Sequence, residues 1–365
     1  MSAGRVLFAW GASSWYGWGV IGLNLMLHWD GEALCAVGDL AAELAPDDGR
    51  WNLLRERQEV SARWMQRMMA DPGLRYYGVI GDPLFVAMGN DFEPSPALPI
   101  RPLCGRPSVA FPVFEDLTVA GCCVEKLLPY PLVFAASEWN RDFLVDRGID
   151  ARLWHQGYDP VYFHPGVRWA RSDGRFRVFS GGKAEWRKGQ DIVLQAFARF
   201  AARHDDAVLV AQWGSPWPRA ALTFGDTAVG VPPGAEIGMP NYRAWAQRAG
   251  IAPYQFELVP ALPNWRMPEV YGGVDVALFP NRAEGGTNLV AMEAMACGVP
   301  AIIECVAGQR DIAAYAVQAA ETGGDVDYYV EQLETSYRSV PFAEPLGAEW
   351  AWPARVAELR DILEG

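Results

Sequence analysis

The residues best placed to do chemistry in this chain are two glutamates that flank the start of a helix. They lie in Pro280-Asn281-Arg282-Ala283-Glu284-Gly285-Gly286-Thr287-Asn288-Leu289-Val290-Ala291-Met292-Glu293. An apolar run, Val274 to Phe279, reads as a buried strand that ends just before this segment. Gly285 and Gly286 let the backbone turn and approach a ligand closely. Thr287 is suited to cap the helix that follows. The free amides and positive dipole of such a helix start favour an anion such as a diphosphate. Glu293 lies six residues beyond Thr287, about 9 Å along the axis. Its side chain leans back toward the helix start, where it can accept hydrogen bonds from ribose hydroxyls. Glu284, in the loop, can accept them from sugar hydroxyls. The alternative is a solvated loop acid at Glu284 and an Arg partner for Glu293. Because Glu293 sits among Val290, Ala291, Met292, Ala294 and Met295, it needs some partner to offset its desolvation.

A second cluster, Gly181-Gly182-Lys183-Ala184-Glu185-Trp186-Arg187-Lys188-Gly189-Gln190-Asp191, follows a strand expected at Phe176–Ser180. Lys183 and Lys188 bracket a short turn at the carboxyl end of that strand. Two ammonium groups there can neutralise a departing diphosphate; otherwise they form a solvated basic loop. In the first half, Gly17-Trp18-Gly19-Val20-Ile21-Gly22 matches G-x-G-x-x-G, and Asp39 follows at a distance suited to a ribose. That pattern makes an NAD(P)-binding oxidoreductase the rival reading. Against it, several residues separate the first strand from Gly17, and Trp15 and Trp18 crowd the turn. Gly22 is equally a packing glycine. Glu115 and Asp116, after the strand Val109–Val113, are either ordinary loop acids or groups that orient or deprotonate an acceptor hydroxyl.

These groups need elements to hold them. In the first half, strands are expected at Arg5–Trp10, Ala33–Val37, Tyr76–Ile80, Val109–Val113 and Leu132–Ala136. Helices are expected at about Trp18–Trp29, Arg50–Ala70 and from a Ser137 cap to Arg147, with Pro94 to Pro112 mostly loop. In the second half, strands are expected at Phe176–Ser180, Val208–Trp213, Phe256–Val259, Val274–Phe279 and Pro300–Glu304. Helices at Asp191–Arg203, Tyr242–Ala249 and Leu289–Cys297 lie between them, and a helix ends near Leu363. Strands alternating with helices predict α/β architecture with two Rossmann-like parallel sheets. The Pro- and Gly-containing stretch Tyr158 to Arg175 reads as the linker. It gives a first domain at 1–165, a second at 166–348 and a last helix, 349–365, that packs back on the first.

Composition sets limits. The 365 residues suit about two domains, and 51% are apolar, so each half can bury a core. A net charge of −13 argues against a nucleic-acid partner. No apolar run is long enough to span a bilayer, and the short apolar start is a strand rather than a secretory leader. Six cysteines without a C-x-x-C pair, and four histidines, predict a reducing cytoplasmic setting and no metal site. The sixteen tryptophans pack cores or stack on sugar rings. Arg50 to Ala70, with arginines beside Trp64, Met65, Met68 and Met69, is either a packed helix or a peripheral contact at the inner membrane face.

The segment Glu284 to Ile302 closely resembles the donor-site motif of retaining GT-B glycosyltransferases, glycosyltransferase family 4 in particular. Lys188-Gly189-Gln190-Asp191, Leu258-Val259-Pro260 and Glu269 to Val276 fit the same family, and so do Ser137-Glu138-Trp139 and Trp154 to Pro165. The family usually has seven residues between the two acids; here there are eight. Lys183 stands where the family has Arg, which keeps the charge and loses the bidentate contact. The resemblance implies a GT-B fold, with two domains facing each other across a cleft. It also implies transfer of a sugar, with retention, from a nucleoside diphosphate sugar to a hydroxyl of a glycan, lipid-linked or small-molecule acceptor. The implied donor set is Gly285, Gly286, Thr287, Asn288, Leu289 and Glu293, with Gly17 and Gly19 facing the phosphates and Pro260, Pro263 or Trp265 flanking the base. Lys183, Lys188, Glu284 and Glu115 are the implied catalytic groups, with no metal or other cofactor. No convincing match exists for the histidine that many relatives carry in the first domain, so a non-catalytic sugar-nucleotide binder is a further alternative.

Overall fold

The computed structural model describes residues 4–37, 40–71, 78–94 and 103–364. Its backbone forms two compact units. The first comprises Met1–Asp159, Pro263–Trp265 and Ala348–Gly365; the second comprises Pro160–Leu262 and Arg266–Gly347.

The first unit runs β1 (Val6–Phe8), α1 (Gly17–His28), β2 (Ala33–Cys35), α2 (Trp51–Ala70), β3 (Gly78–Val79), β4 (Leu84–Met88), β5 (Leu103–Cys104), β6 (Ser108–Pro112), α3 (Leu117–Cys123), β7 (Leu132–Ala135), α4 (Glu138–Val145) and β8 (Ala151–Leu153). Its main sheet is parallel, in the order β2-β1-β4-β6-β7-β8. The central strand β4 was not expected from sequence. Its five residues are all buried, so they lack the alternation that marks a half-exposed strand. Of the strand expected at Tyr76–Ile80, Gly78–Val79 forms and pairs with β5 in a separate two-stranded sheet; residues 72–77 lie outside the described residues. β5 forms within the stretch expected to be mostly loop, and β6 is the strand expected at Val109–Val113.

Helix α1 is buried from Gly19 to Leu27, as expected of a helix that is apolar on all sides. In α4, Ser137 is the cap expected, its hydroxyl accepting from the Asn140 amide at 3.2 Å. In α2, Trp64 belongs to the core, and Met65 and Met68 pack against it. The fold thus uses that part of the apolar face, while Met69 is 67% exposed. The C-terminal helix, Trp352–Glu364, groups with this unit. Trp154 donates to the Arg355 carbonyl at 2.8 Å, and the Tyr158 amide to the Trp350 carbonyl at 3.1 Å. A side chain at Gly157 would strike the Trp350 carbonyl, so glycine permits this approach.

His28 ends α1, and its Nε2 is buried without a hydrogen-bond partner among the described residues. Burial, with the Arg50 guanidinium adding to it, pushes its pKa down to about 4. The unfolded chain therefore binds a proton that the folded chain resists between about pH 6.5 and 4. Stability is full above the upper value and falls as pH drops through this window, by at most about 3 kcal/mol. Urea melts of His28→Gln should show a flatter pH dependence there than wild type. An unchanged slope would refute the assignment.

The second unit runs β9 (Phe176–Gly181), α5 (Gln190–Ala201), β10 (Ala207–Gln212), α6 (Tyr242–Arg248), β11 (Phe256–Leu258), α7 (Met267–Tyr271), β12 (Val276–Phe279), α8 (Leu289–Ala296), β13 (Ala301–Glu304), β14 (Gln318–Ala320) and α9 (Val326–Arg338). Its parallel sheet has the order β11-β10-β9-β12-β13-β14. One face of the sheet packs on α5, α6 and α9, with Trp213, Trp245, Phe197 and Tyr329 fully buried. Most of the expected elements form within two or three residues of their expected bounds. β14 and α9 were not expected. Trp154, Trp213, Trp245 and Trp352 pack cores, whereas Trp186 and Trp217 are about half exposed.

Candidate functional site

Sheet order builds the site. β9 and β12 are parallel neighbours, with Val178 opposite Val276, so the loops leaving their carboxyl ends lie side by side. Gly189 joins them. It has φ +72°, and a side chain there would overlap the Pro280 carbonyl oxygen; only glycine satisfies both conditions. The Arg282 amide donates to the Arg187 carbonyl at 2.7 Å. The Arg282 guanidinium holds both oxygens of Asp191, at 2.8 and 2.7 Å, in the first turn of α5, the fork-on-carboxylate geometry specific to Arg.

Glu284 is the electrostatic centre of this junction. It is buried, and its carboxylate accepts from Lys188 Nζ and Asn281 Nδ2, and from Arg187 at 3.1 Å. Burial alone would raise its pKa, but the Lys188 and Arg187 charges outweigh that effect and hold the carboxyl below its ordinary range. Glu284 therefore stays ionised although buried. Its carbonyl accepts from the Gly308 amide at 2.9 Å. Lys183 does not touch Glu284 in this arrangement. Its Nζ pairs with Glu185 at 3.0 Å and lies 5.9 Å from the centre of the Trp217 ring.

The start of α8 differs from the expectation in one respect. The cap position is Asn288, with φ +60° and no side-chain bond to the helix amides, rather than Thr287. Thr287 is fully buried, and its hydroxyl faces the Met292 sulfur at 2.8 Å. Asn288 donates to Gln309 at 2.7 Å. The buried Gln309 amide in turn donates to the carbonyls of Phe279, at 3.1 Å, and Glu304, at 2.8 Å. One side chain thus ties the ends of β12 and β13 to the helix start. Gly285 and Gly286 are buried and Leu289 is half-buried. Glu293, one helical turn beyond Leu289, is buried and accepts from the Tyr271 hydroxyl at 3.2 Å. Burial first, and the Glu293 charge second, drive the Tyr271 hydroxyl well above its usual pKa, so it remains a donor. Glu293 thus has a neutral tyrosine partner from α7.

The structure brings together Lys188, Glu284 and the loop through Gly285, Gly286 and Thr287 into α8, with Lys183 one ion pair away. Sequence reading missed Arg187, Asn281, Tyr271 and Gln309 as parts of the site. Arg187 stood in the basic cluster and Asn281 in the motif, but nothing in the pattern marked their contact with Glu284. Gln309 carried no local signal. Pro260 is exposed in the second unit, while Trp265 groups with the first.

In the first unit, Gly17 and Gly19 are not in a loop but are the opening residues of α1, and the loop is Ala9 to Tyr16. A side chain at Gly19 would meet the Ser13 backbone, and one at Gly22 would meet the Gly11 carbonyl and Phe8. Both glycines serve close packing of helix on loop and strand. A dinucleotide turn needs its glycines between strand and helix, so this placement weighs against the NAD(P) reading; Asp39 lies outside the described residues. Asp116 caps α3, accepting from the Thr118 and Val119 amides at 2.9 and 3.0 Å, which accounts for that acid structurally. Glu115 is half-buried, and its amide donates to Asn90 at 2.7 Å. Among the described residues, no cluster of His, Cys, Asp and Glu is arranged to hold a metal ion.

Residues 175–336 match the family model described as "Glycosyl transferases group 1". Over 147 residues the chain is 31% identical to the D-inositol 3-phosphate glycosyltransferase of Acidothermus cellulolyticus, covering 40% of this chain and 29% of that protein. The chain spans between 29% and 53% of the length of the first curated relatives it matches. Among solved structures it is similar to sucrose-phosphate synthase from Thermosynechococcus elongatus, with a TM-score of 0.63 at 14% identity, covering 99% of this chain and 98% of that one. It is also similar to Anabaena HepE in complex with UDP and glucose, with a TM-score of 0.56 at 12% identity, covering 100% of this chain and 94% of that one. Residues 175–336, within the second unit, thus match the group 1 glycosyltransferases, and the two parallel six-stranded sheets give the chain the GT-B fold of those solved structures.

Proposed function

We propose that the chain transfers a sugar from a nucleoside diphosphate sugar to a hydroxyl acceptor, with retention at the anomeric carbon. The observation that supports this reading most is the junction of Lys188 with Glu284 at the approach to α8, with buried Glu293 further along the same helix. In this scheme Lys188, Lys183 and the amides at the α8 start hold the diphosphate and stabilise its charge as it leaves. Glu293 accepts from the ribose hydroxyls, and Glu284 and the Gly285-Gly286 amides hold the sugar. The bond from the anomeric carbon to the distal phosphate oxygen breaks, and the bond to the acceptor oxygen forms on the same face. The acceptor proton passes to the departing diphosphate, so no protein nucleophile is needed. These cations and amides do the electrostatic work, and no metal enters the scheme. Glu115 is the first-unit acid proposed to meet the acceptor.

UDP is the proposed nucleotide, on the likeness to HepE in complex with UDP and glucose. A sugar-type or polyol acceptor is proposed on the likeness to D-inositol 3-phosphate glycosyltransferase and sucrose-phosphate synthase. All six cysteines are free, which suits a cytoplasmic setting. No helix among the described residues is long and apolar enough to cross a membrane.

Calorimetric titration with UDP, UDP-glucose, GDP-mannose and NAD(P) tests the reading. A nucleoside diphosphate or its sugar should bind, and NAD(P) should not. Glu293→Ala should weaken UDP binding about 10- to 100-fold, the worth of hydrogen bonds to a charged acceptor, while inorganic pyrophosphate binds as before. Binding of NAD(P) alone would overturn the assignment. Nucleotide binding without turnover on any sugar or polyol acceptor would leave only a sensor.

A further inference from the structure

The two lysines assigned to the diphosphate are not waiting with empty hands. Lys188 is held by Glu284, and Lys183 by Glu185. The two carboxylates differ in kind. Glu284 is buried and has three partners, whereas the Glu185 side chain is 21% exposed and sits between two cations, 3.0 Å from Lys183 Nζ and 2.9 Å from Arg187 Nε. Its main chain is fixed independently of that carboxylate. The Lys188 amide donates to the Glu185 carbonyl at 2.8 Å, and the Glu185 amide to Gln190 at 3.3 Å. The loop can therefore keep its shape while the Glu185 side chain changes partner.

We infer that Glu185 is an affinity-setting residue for the donor: an internal anion that occupies the Lys183 and Arg187 charges until the distal phosphate of a nucleoside diphosphate takes its place. The inference rests on the proposed donor site. The charges make the case. Lys183, Arg187 and Lys188 face Glu185 and Glu284. Three cations against two carboxylates leave one net positive charge, for a ligand that brings at least two negative ones. Glu284 is itself buried and held by three partners, so Glu185 is the carboxylate that yields. A carboxylate beside an anion site opposes the ligand twice, by neutralising the cations and by direct repulsion. Its use lies at the end of the cycle. After transfer the nucleoside diphosphate must leave, and a competing carboxylate on the same cations assists that release.

The test compares UDP and UMP binding by calorimetry in wild type, Glu185→Gln, Glu185→Ala and Glu185→Gln with Lys183→Met, each checked for an unchanged thermal melt. Glu185→Gln should bind UDP about two- to fivefold more tightly, the scale of a partly exposed charge pair. The gain should be smaller for UMP, which lacks the distal phosphate, and should shrink when Lys183 is also replaced. Glu185→Ala separates loss of charge from a new amide contact and should tighten UDP in the same direction. Unchanged or weaker UDP binding in both Glu185 variants overturns the inference, because Glu185 would then merely preposition the cations. If wild type binds no UDP, the donor site itself is refuted and this role falls with it.

Discussion

Lys188→Ala should lower turnover by about 10²- to 10³-fold, the scale seen when one preorganised donor to a developing negative charge is removed. Lys188, with Arg187, links the β9 loop to Glu284, and Glu284 opens the segment leading into α8. The substitution therefore removes charge from the departing diphosphate and also takes away the strongest support of a buried carboxylate. Glu284 would retain Arg187 and Asn281, so the unit should still fold. The sign of the accompanying pH effect is fixed. A carboxyl held below its ordinary pKa contributes stability that is present above that ordinary value and lost as pH falls through the lowered one. With Lys188 gone the Glu284 pKa rises, and acid unfolding should begin at a higher pH than in wild type. Lys188→Arg keeps the charge and should recover part of the rate. Steady-state kinetics with the donor that binds best, together with an acid titration followed by circular dichroism, reads both effects. A folded Lys188→Ala protein within about fivefold of wild-type kcat/KM would show that Lys188 does not bear on the departing group; fivefold corresponds to only about 1 kcal/mol.

Gly189→Ala should destabilise the second unit by about 3 kcal/mol or more. A non-glycine residue at φ +72° costs about 1–2 kcal/mol, and the overlap of its methyl group with the Pro280 carbonyl adds about 1–3 kcal/mol of overpacking. The melting temperature of that unit should drop by roughly 6–12 °C. A functional defect should accompany it, because Pro280 begins the loop that carries Glu284. The carbonyl cannot move without shifting the segment on which Asn281 and Glu284 stand. Calorimetric melting and UDP titration of the same sample would separate the two effects. A Gly189→Ala protein that melts with wild type would mean that the β9 and β12 loops do not meet as described.

Local pattern made much of the second unit legible. β9, β10, β11, β12 and β13 are mostly apolar segments, and α5 and α8 lie between them as helices. β4 escaped notice although it stands in the middle of the first sheet and is as fully buried as β12 and β13, which were legible. Gly17, Gly19 and Gly22 matched a nucleotide-turn pattern, but all three lie in α1, where Gly19 and Gly22 are packing glycines. A spacing rule cannot tell a tight turn from a tight helix–loop contact, since both require the absence of a Cβ atom. Thr287 was the expected cap, yet Asn288 takes the position with φ +60°, its side-chain amide held by Gln309 from another segment.

The sequence by itself determined which residues carry charge, where glycines relieve the backbone, and that Glu293 on its apolar helix must find a partner. These follow from covalent chemistry and from short-range periodicity, which act within a few residues. Only the tertiary structure decided that the partner is Tyr271, that Lys188 and Arg187 converge on Glu284, and that Glu185 holds Lys183. Apart from Lys183 and Glu185, which stand two residues apart in one loop, those pairings join residues about 20 to 100 positions apart. They depend on β9 and β12 being neighbours in the sheet, a consequence of burying both strands in one core rather than of any local preference.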